Sequence, residues 1–181
     1  RYEPRPMLEY YWKLVQPLGV DEMPIRMQLF TRPQDDATAA DLYRKLGLEG
    51  QKTLILAPGA AFGAAKCWPA ERFADIARRA RDELGLTGLL LCSGKERPVA
   101  ERIAAESAGA ALLPEGSLPL ATVKALVRAA RAMVTNDSGL RHFAAAFERP
   151  VVTIFGPTHI EWTETWFARE KKLQADVACG P

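Results

Sequence analysis

Histidine is nearly missing from this sequence. His142 and His159 are the only two in 181 residues, which argues against a multi-histidine metal centre, and no metal ligand set is read. Cysteine is scarce as well. Cys67, Cys92 and Cys179 are odd in number, widely spaced and without a C-x-x-C pair, a pattern that predicts neither a disulfide framework nor a zinc site. Reduced thiols of this kind fit a cytoplasmic location. Neither sign of charge dominates: Lys and Arg number 24, Asp and Glu 22, and the net charge of +2 leaves no nucleic-acid footprint. No stretch approaches the roughly 18 consecutive apolar residues of a membrane span. The chain starts at Arg1 with no charged segment leading into an apolar run, so no secretion signal is read. Internal repeats and low-complexity segments are also lacking. What is present is ordinary for a globular chain, 48% hydrophobic and 25% charged residues, enough for one domain with a real core.

The first 35 residues differ from the rest, with Pro4, Pro6, Pro17, Pro24, Pro33 and three of the four tyrosines. Leu8, Tyr11, Trp12 and Val15 recur at the spacing of one helix face. This segment, 1–35, is read as a connector with a docking helix and an extended stretch at Met27–Phe30, followed by a domain over 36–181. An extension packed on that same domain is an equal alternative. From Asp36 the pattern turns regular. Helical periodicity over Asp36–Leu46, Ala70–Leu84, Arg97–Ser107, Leu120–Ala130 and Ser138–Phe147 is interleaved with apolar runs at Thr53–Ala57, Thr87–Cys92, Ala110–Leu113, Ala132–Thr135 and Val151–Phe155. Runs apolar on both faces suit a parallel sheet covered on both sides. The alternation predicts a doubly wound, Rossmann-like α/β domain of five strands.

In such a sheet, ligands bind beyond the carboxyl ends of the strands. The loop 58–69 holds Gly59, Gly63, four alanines and Lys66. Small residues let a ligand approach the backbone, and a lysine adds a point charge for phosphate. The loop lacks G-K-[ST] and G-x-G-x-x-G, so it is neither a P-loop nor a dinucleotide fingerprint, and an NAD-dependent dehydrogenase is disfavoured. A glycine-rich turn with a solvated lysine is the plainer alternative. The segment Thr135-Asn136-Asp137-Ser138-Gly139 opens a helix, where Asp137 or Ser138 can cap and where free N–H groups suit phosphate. His142 stands one turn beyond Ser138 on the same face; it faces the same site or packs in the core. Glu96 accepts ribose hydroxyls or only favours the first turn of its helix. Thr158 can add a hydroxyl, and His159 is expected at the surface. The basic run Arg169–Lys172 is weak grounds for contact with an anionic lipid surface.

Three motifs taken in order resemble glycosyltransferase family 9, the ADP-heptose–lipopolysaccharide heptosyltransferases: Pro58-Gly59-Ala60…Lys66-Cys67-Trp68-Pro69, Thr135-Asn136-Asp137-Ser138-Gly139…His142, and Pro150-Val151-Val152…Phe155-Gly156-Pro157-Thr158. The first-loop spacing is most like that of the heptosyltransferase II branch, and the resemblance spans roughly residues 8 to 167. It implies the C-terminal, donor-binding half of a GT-B fold. It implies that Lys66 faces the donor phosphates and stabilises the leaving group. Gly59, Asp137, Ser138, Gly139 and His142 would hold the donor, with Glu96 at the nucleoside. The implied reaction is inverting transfer of L-glycero-D-manno-heptose from ADP-heptose to the lipopolysaccharide inner core, with no cofactor and no metal. The general base would come from an N-terminal half that this chain lacks, so the chain alone is expected to be inactive. The implied partners are the donor, the lipopolysaccharide acceptor and, peripherally, the cytoplasmic face of the inner membrane; nucleic acid is not among them.

Ser138 stands where threonine is commoner in the family, and the hydroxyl is kept. The chain stops at Cys179-Gly180-Pro181, where family members continue into a last helix. Two rival readings remain at this level. One is a GT-B enzyme using another nucleotide sugar, or a non-hydrolysing epimerase. The other is a nucleotide-binding module without chemistry of its own.

Overall fold

The computed structural model describes residues 4–23, 26–60 and 64–177. The apolar run Thr53–Ala57 forms strand β1, buried along its whole length. Successive side chains of a strand leave by opposite faces. Leu54 and Leu56 therefore enter one core layer and Ile55 the other. Strands β2 (Thr87–Leu90) and β3 (Ala111–Leu112) are shorter than the predicted runs, β4 (Ala132–Asn136) extends one residue further, and β5 (Val151–Phe155) matches its run. A strand that the sequence reading did not place, β6 (Glu170–Gln174), makes the sheet six-stranded rather than five-stranded. All pairings are parallel, in the order β3-β2-β1-β4-β5-β6.

Helices cover both faces. The first layer is supplied by α3 (Ala70–Leu84) and α4 (Arg97–Glu106) through Phe73, Ala74, Ala77, Ala100 and Ile103. The second comes from α2 (Pro33–Lys45), α5 (Leu120–Ala129) and α6 (Gly139–Ala146) through Tyr43, Leu126, Val127 and Ala144. Burying one Leu, Ile or Phe side chain stabilises by about 1.5–3 kcal/mol, so these two layers dominate stability. Helix ends follow local chemistry. Pro33 opens α2, three residues before the expected start, because proline lacks the N–H that a first turn leaves unpaired. Gly85, at φ +64°, closes α3 in the left-handed conformation that glycine adopts without strain.

The predicted connector helix exists as α1 (Met7–Val15), and it lies against the turn Ile160–Thr163. Its packing differs from the expectation. Leu8 and Trp12 are half-buried, whereas Tyr11 and Val15 of the same predicted face are exposed, together with Met7, Tyr10 and Leu14. The stretch 27–30 runs to α2 without pairing as a strand.

The order of the strands locates the site. From β1 the chain winds outward to β2 and β3, then returns to place β4 on the other side of β1. At this switch point the loops after β1 and β4 diverge, leaving a crevice beyond the strand ends.

Candidate nucleotide-binding site

Asn136, the last residue of β4, is fully buried and joins the two loops at the switch point. Its amide donates to Pro58 O, where the first loop leaves the sheet, and its Oδ1 accepts from Trp68 N–H at 3.1 Å, where the loop returns. The middle of that loop, 61–63, lies outside the described residues. The turn Ala64–Lys66 then brings Lys66 across to β4.

Lys66 Nζ lies 3.0 Å from Asp137 Oδ2, with the two side chains 19% and 7% exposed. The same oxygen accepts from Thr158 Oγ1 at 3.1 Å, and Asp137 Oδ1 faces Arg141 Nη1 at 3.4 Å. The expectation that Asp137 or Ser138 caps α6 is therefore corrected. Asp137 is engaged by two cations, and the hydroxyl of Ser138, the N-cap residue, meets Thr135 Oγ1 at 3.0 Å. No side chain caps α6. Its first-turn N–H groups, at the positive end of the helix dipole, face the crevice beside Gly139.

Glu96 lies where the turn before α4 meets the crevice. It accepts Ser93 N–H at 2.7 Å at the start of the turn that leads into α4, and it also lines the crevice. Its carboxylate rests against Gly59: a Cβ on Gly59 would stand 1.9 Å from Glu96 Oε1, so only glycine leaves room for the carboxylate in this position. Beside them opens a cavity of about 580 Å³, with an apolar floor that includes Leu118, Leu140 and Phe143 and a rim that includes Glu96, Ser138 and Gly139. A second cavity, of about 480 Å³, lies against the sheet face beside α3; Leu54, Ile76, Val134 and Val152 line it together with the charged Arg79, Glu83, Arg169 and Lys171, and none of the sequence-predicted site residues reaches it.

Lys66, Asp137 and His142 do not line the cavity beside Glu96; Gly59, Glu96, Ser138 and Gly139 do. His142 is half-buried one turn into α6, and burial, with the nearby Arg141 charge, pushes its imidazole below the ordinary 6.5. It is therefore neutral at neutral pH. His159 lies against the Trp162 ring, 5.2 Å between centroids, and is partly exposed. Among the described residues no three His, Cys, Asp or Glu side chains are grouped to hold a metal.

The sequence reading missed the support beneath Asp137. Arg141, fully buried in α6, gives Nε and Nη2 to the two oxygens of Glu170 at 2.9 and 3.2 Å and Nη1 to Thr163 Oγ1 at 2.6 Å. Glu170 also accepts from Thr153 and Thr165 at 2.6 Å each. Burial pushes the Glu170 carboxyl up, but the Arg141, Thr153 and Thr165 bonds outweigh it and hold it below the usual carboxylate range. Arg141 at four residues from Asp137 was the available signal. Of the 169–172 run, Glu170 is buried and Lys172 is paired with Glu164, both within β6, while Arg169 and Lys171 are exposed.

Comparison with known proteins agrees with this geometry. The profile described as "Glycosyltransferase family 9 (heptosyltransferase)" matches residues 3–181. The chain belongs to glycosyltransferase family 9. Its relatives in the family include lipopolysaccharide heptosyltransferase 2 of Escherichia coli K12, 36% identical over 124 residues (66% of this chain, 35% of that protein). Lipooligosaccharide heptosyltransferase 2 of Haemophilus influenzae is 33% identical over 156 residues (79% and 43%). The solved ADP-heptose heptosyltransferase II of E. coli superimposes with a TM-score of 0.71 at 29% identity, covering 84% of this chain and 46% of that one. The chain thus spans less than half the length of these relatives, and its Rossmann-like sheet superimposes on about half of the solved E. coli enzyme.

Proposed function

We propose that this chain is the donor-binding half of an inverting glycosyltransferase that transfers heptose from ADP-L-glycero-D-manno-heptose to the lipopolysaccharide inner core. The observation that carries the reading is the meeting of Lys66 with Asp137 beside the uncapped start of α6, at the edge of a cavity with an apolar floor and Glu96 on its rim. The floor suits a flat nucleobase, Glu96 suits ribose hydroxyls, and Lys66 with the α6 N–H groups suits a diphosphate. As the glycosidic bond to the donor breaks, negative charge grows on the departing ADP. A lysine and preorganised amides placed where that charge forms favour the transition state over the ground state. This chemistry needs no cofactor from the protein, and the acceptor with its general base belongs to the other half of the enzyme.

We also place the reaction in the cytoplasm, at the inner membrane. The exposed Tyr10, Tyr11 and Leu14 of α1 support a peripheral contact there better than the 169–172 run does. The test is calorimetric titration of the purified chain with ADP, UDP, GDP and NAD at one salt concentration. Preference for ADP over UDP, GDP and NAD, with ADP binding weakened in Lys66→Ala, is the expected result. Preference for UDP or GDP would keep the fold and replace the heptose donor by another nucleotide sugar.

A further inference from the structure

Resting on the donor reading above, we propose that Arg141 is a positioning residue: a buried counter-ion that shares Asp137 with Lys66 and thereby lets Lys66 leave Asp137 for the diphosphate of the bound nucleotide. Lys66 and Asp137 form a closed pair, Nζ to Oδ2 at 3.0 Å. The Asp137 carboxylate offsets the charge that Lys66 would otherwise present to phosphate. For Lys66 to turn outward, Asp137, with its side chain 7% exposed, must remain a carboxylate without the lysine. A buried carboxylate stripped of its cation is strongly unfavourable. Arg141 removes that obstacle because it faces the other oxygen, Oδ1, at 3.4 Å and cannot itself leave.

Several contacts fix Arg141 in place. The guanidinium has no exposed surface, and Nε and Nη2 are both committed to Glu170. Its carbon lies 4.9 Å from the centre of the Phe155 ring. Thr158 Oγ1 supplies a second, neutral donor to Asp137 Oδ2. The four charges Lys66, Arg141, Asp137 and Glu170 sum to zero, and of the two cations only Lys66 is partly exposed. The arrangement is a handover in which the fixed cation keeps Asp137 neutralised while the mobile one meets the ligand. A motif-based reading has no place for Arg141, since it sits at a spacer position between Gly139 and His142.

The experiment measures the affinity of the full 181-residue chain and its variants for ADP and for adenosine, which lacks the diphosphate. Arg141→Gln is expected to weaken ADP about tenfold while adenosine changes by less than about twofold. Adding Asp137→Asn to Arg141→Gln is expected to restore the preference for ADP, because the carboxylate that retains Lys66 is gone. Unchanged ADP affinity in Arg141→Gln, equal losses of ADP and adenosine, or no restoration by Asp137→Asn would each overturn the inference and leave Arg141 a packing residue. If Arg141→Gln does not fold, Glu170→Gln serves instead. It leaves Arg141 less neutralised, so Lys66 is repelled outward and ADP binding is kept or strengthened; selective loss of ADP would overturn the handover. Failure of the donor reading looks different. The wild-type chain would then show no preference for ADP over adenosine that depends on Lys66, and the handover would fall with it.

Discussion

In the proposed donor site Lys66 serves the diphosphate and Gly59 the nucleoside, and each assignment can be tested by one substitution. Lys66→Ala removes a charge-assisted hydrogen bond and should weaken ADP by about 1.5–3 kcal/mol in a calorimetric titration, with adenosine unaffected. Gly59→Ala does the reverse. Its new Cβ would overlap the Glu96 carboxylate, which is the far end of a flexible side chain and can swing away. The melting temperature should therefore move little, while adenosine affinity drops about tenfold as the rim group is displaced. If adenosine binds Gly59→Ala normally, Glu96 has no part in holding the nucleoside. At this scale the sequence was legible where a residue acts through its own loop. Gly59, Lys66, Glu96, Ser138 and Gly139 could be picked out because small or charged residues at strand ends have few other uses. Asn136 and Arg141 could not, because their roles come from partners 68 to 78 and 29 residues away along the chain.

Among the elements, β6 shows why five strands were readable and a sixth was not. The sequence Glu-Lys-Lys-Leu-Gln has no apolar run, and its alternation is inverted. Glu170, Lys172 and Gln174 share the face that turns toward polar partners, while Leu173 is exposed. Strand detection from hydrophobicity assumes that the inward face is apolar. Here the inward face is satisfied by hydrogen bonds instead, and every buried side-chain polar atom among the described residues has a partner. Gln174 illustrates the function of that face. Its amide donates to Gly156 O at 2.7 Å and Thr158 O at 2.9 Å, tying the loop after β5 to the sheet. Gln174→Ala should speed amide exchange in residues 156–158 while costing only about 1–2 kcal/mol of global stability. An unchanged exchange rate there would show that the loop is held by other contacts. By contrast, the leucine and isoleucine side chains of β1 are held by apolar packing, and Leu56→Ala is expected to cost about 2–5 kcal/mol in chemical denaturation.

For the molecule as a whole, the perturbed groups predict how stability depends on pH. His142 titrates lower in the folded chain than its ordinary 6.5, because burial and Arg141 disfavour the imidazolium. As pH falls, the unfolded chain takes up this proton first, so the stability is complete above the ordinary value and is lost as pH drops through the lowered one. Glu170 is likewise held below its ordinary 4.5, burial opposing and its three hydrogen-bond partners prevailing. Its contribution is present above that value and fades at lower pH. Melting temperatures measured downward from neutrality should therefore fall in two stages, and His142→Gln should remove the first and leave the second. A first stage that survives in His142→Gln would have to come from another group.

The two outermost strands carry a last consequence. An unpaired sheet edge offers a row of free N–H and C=O groups to any other chain in an extended conformation. On one side this sheet ends in β3, only two residues long. On the other it ends in β6, where the charged Lys171 stands exposed beside the exposed Leu173. Neither rim is a good template for adding a foreign strand, one for want of length and the other for its charge. Lys171→Val would leave Val and Leu on the same open border and should raise light scattering of concentrated solutions well before it alters the melting temperature.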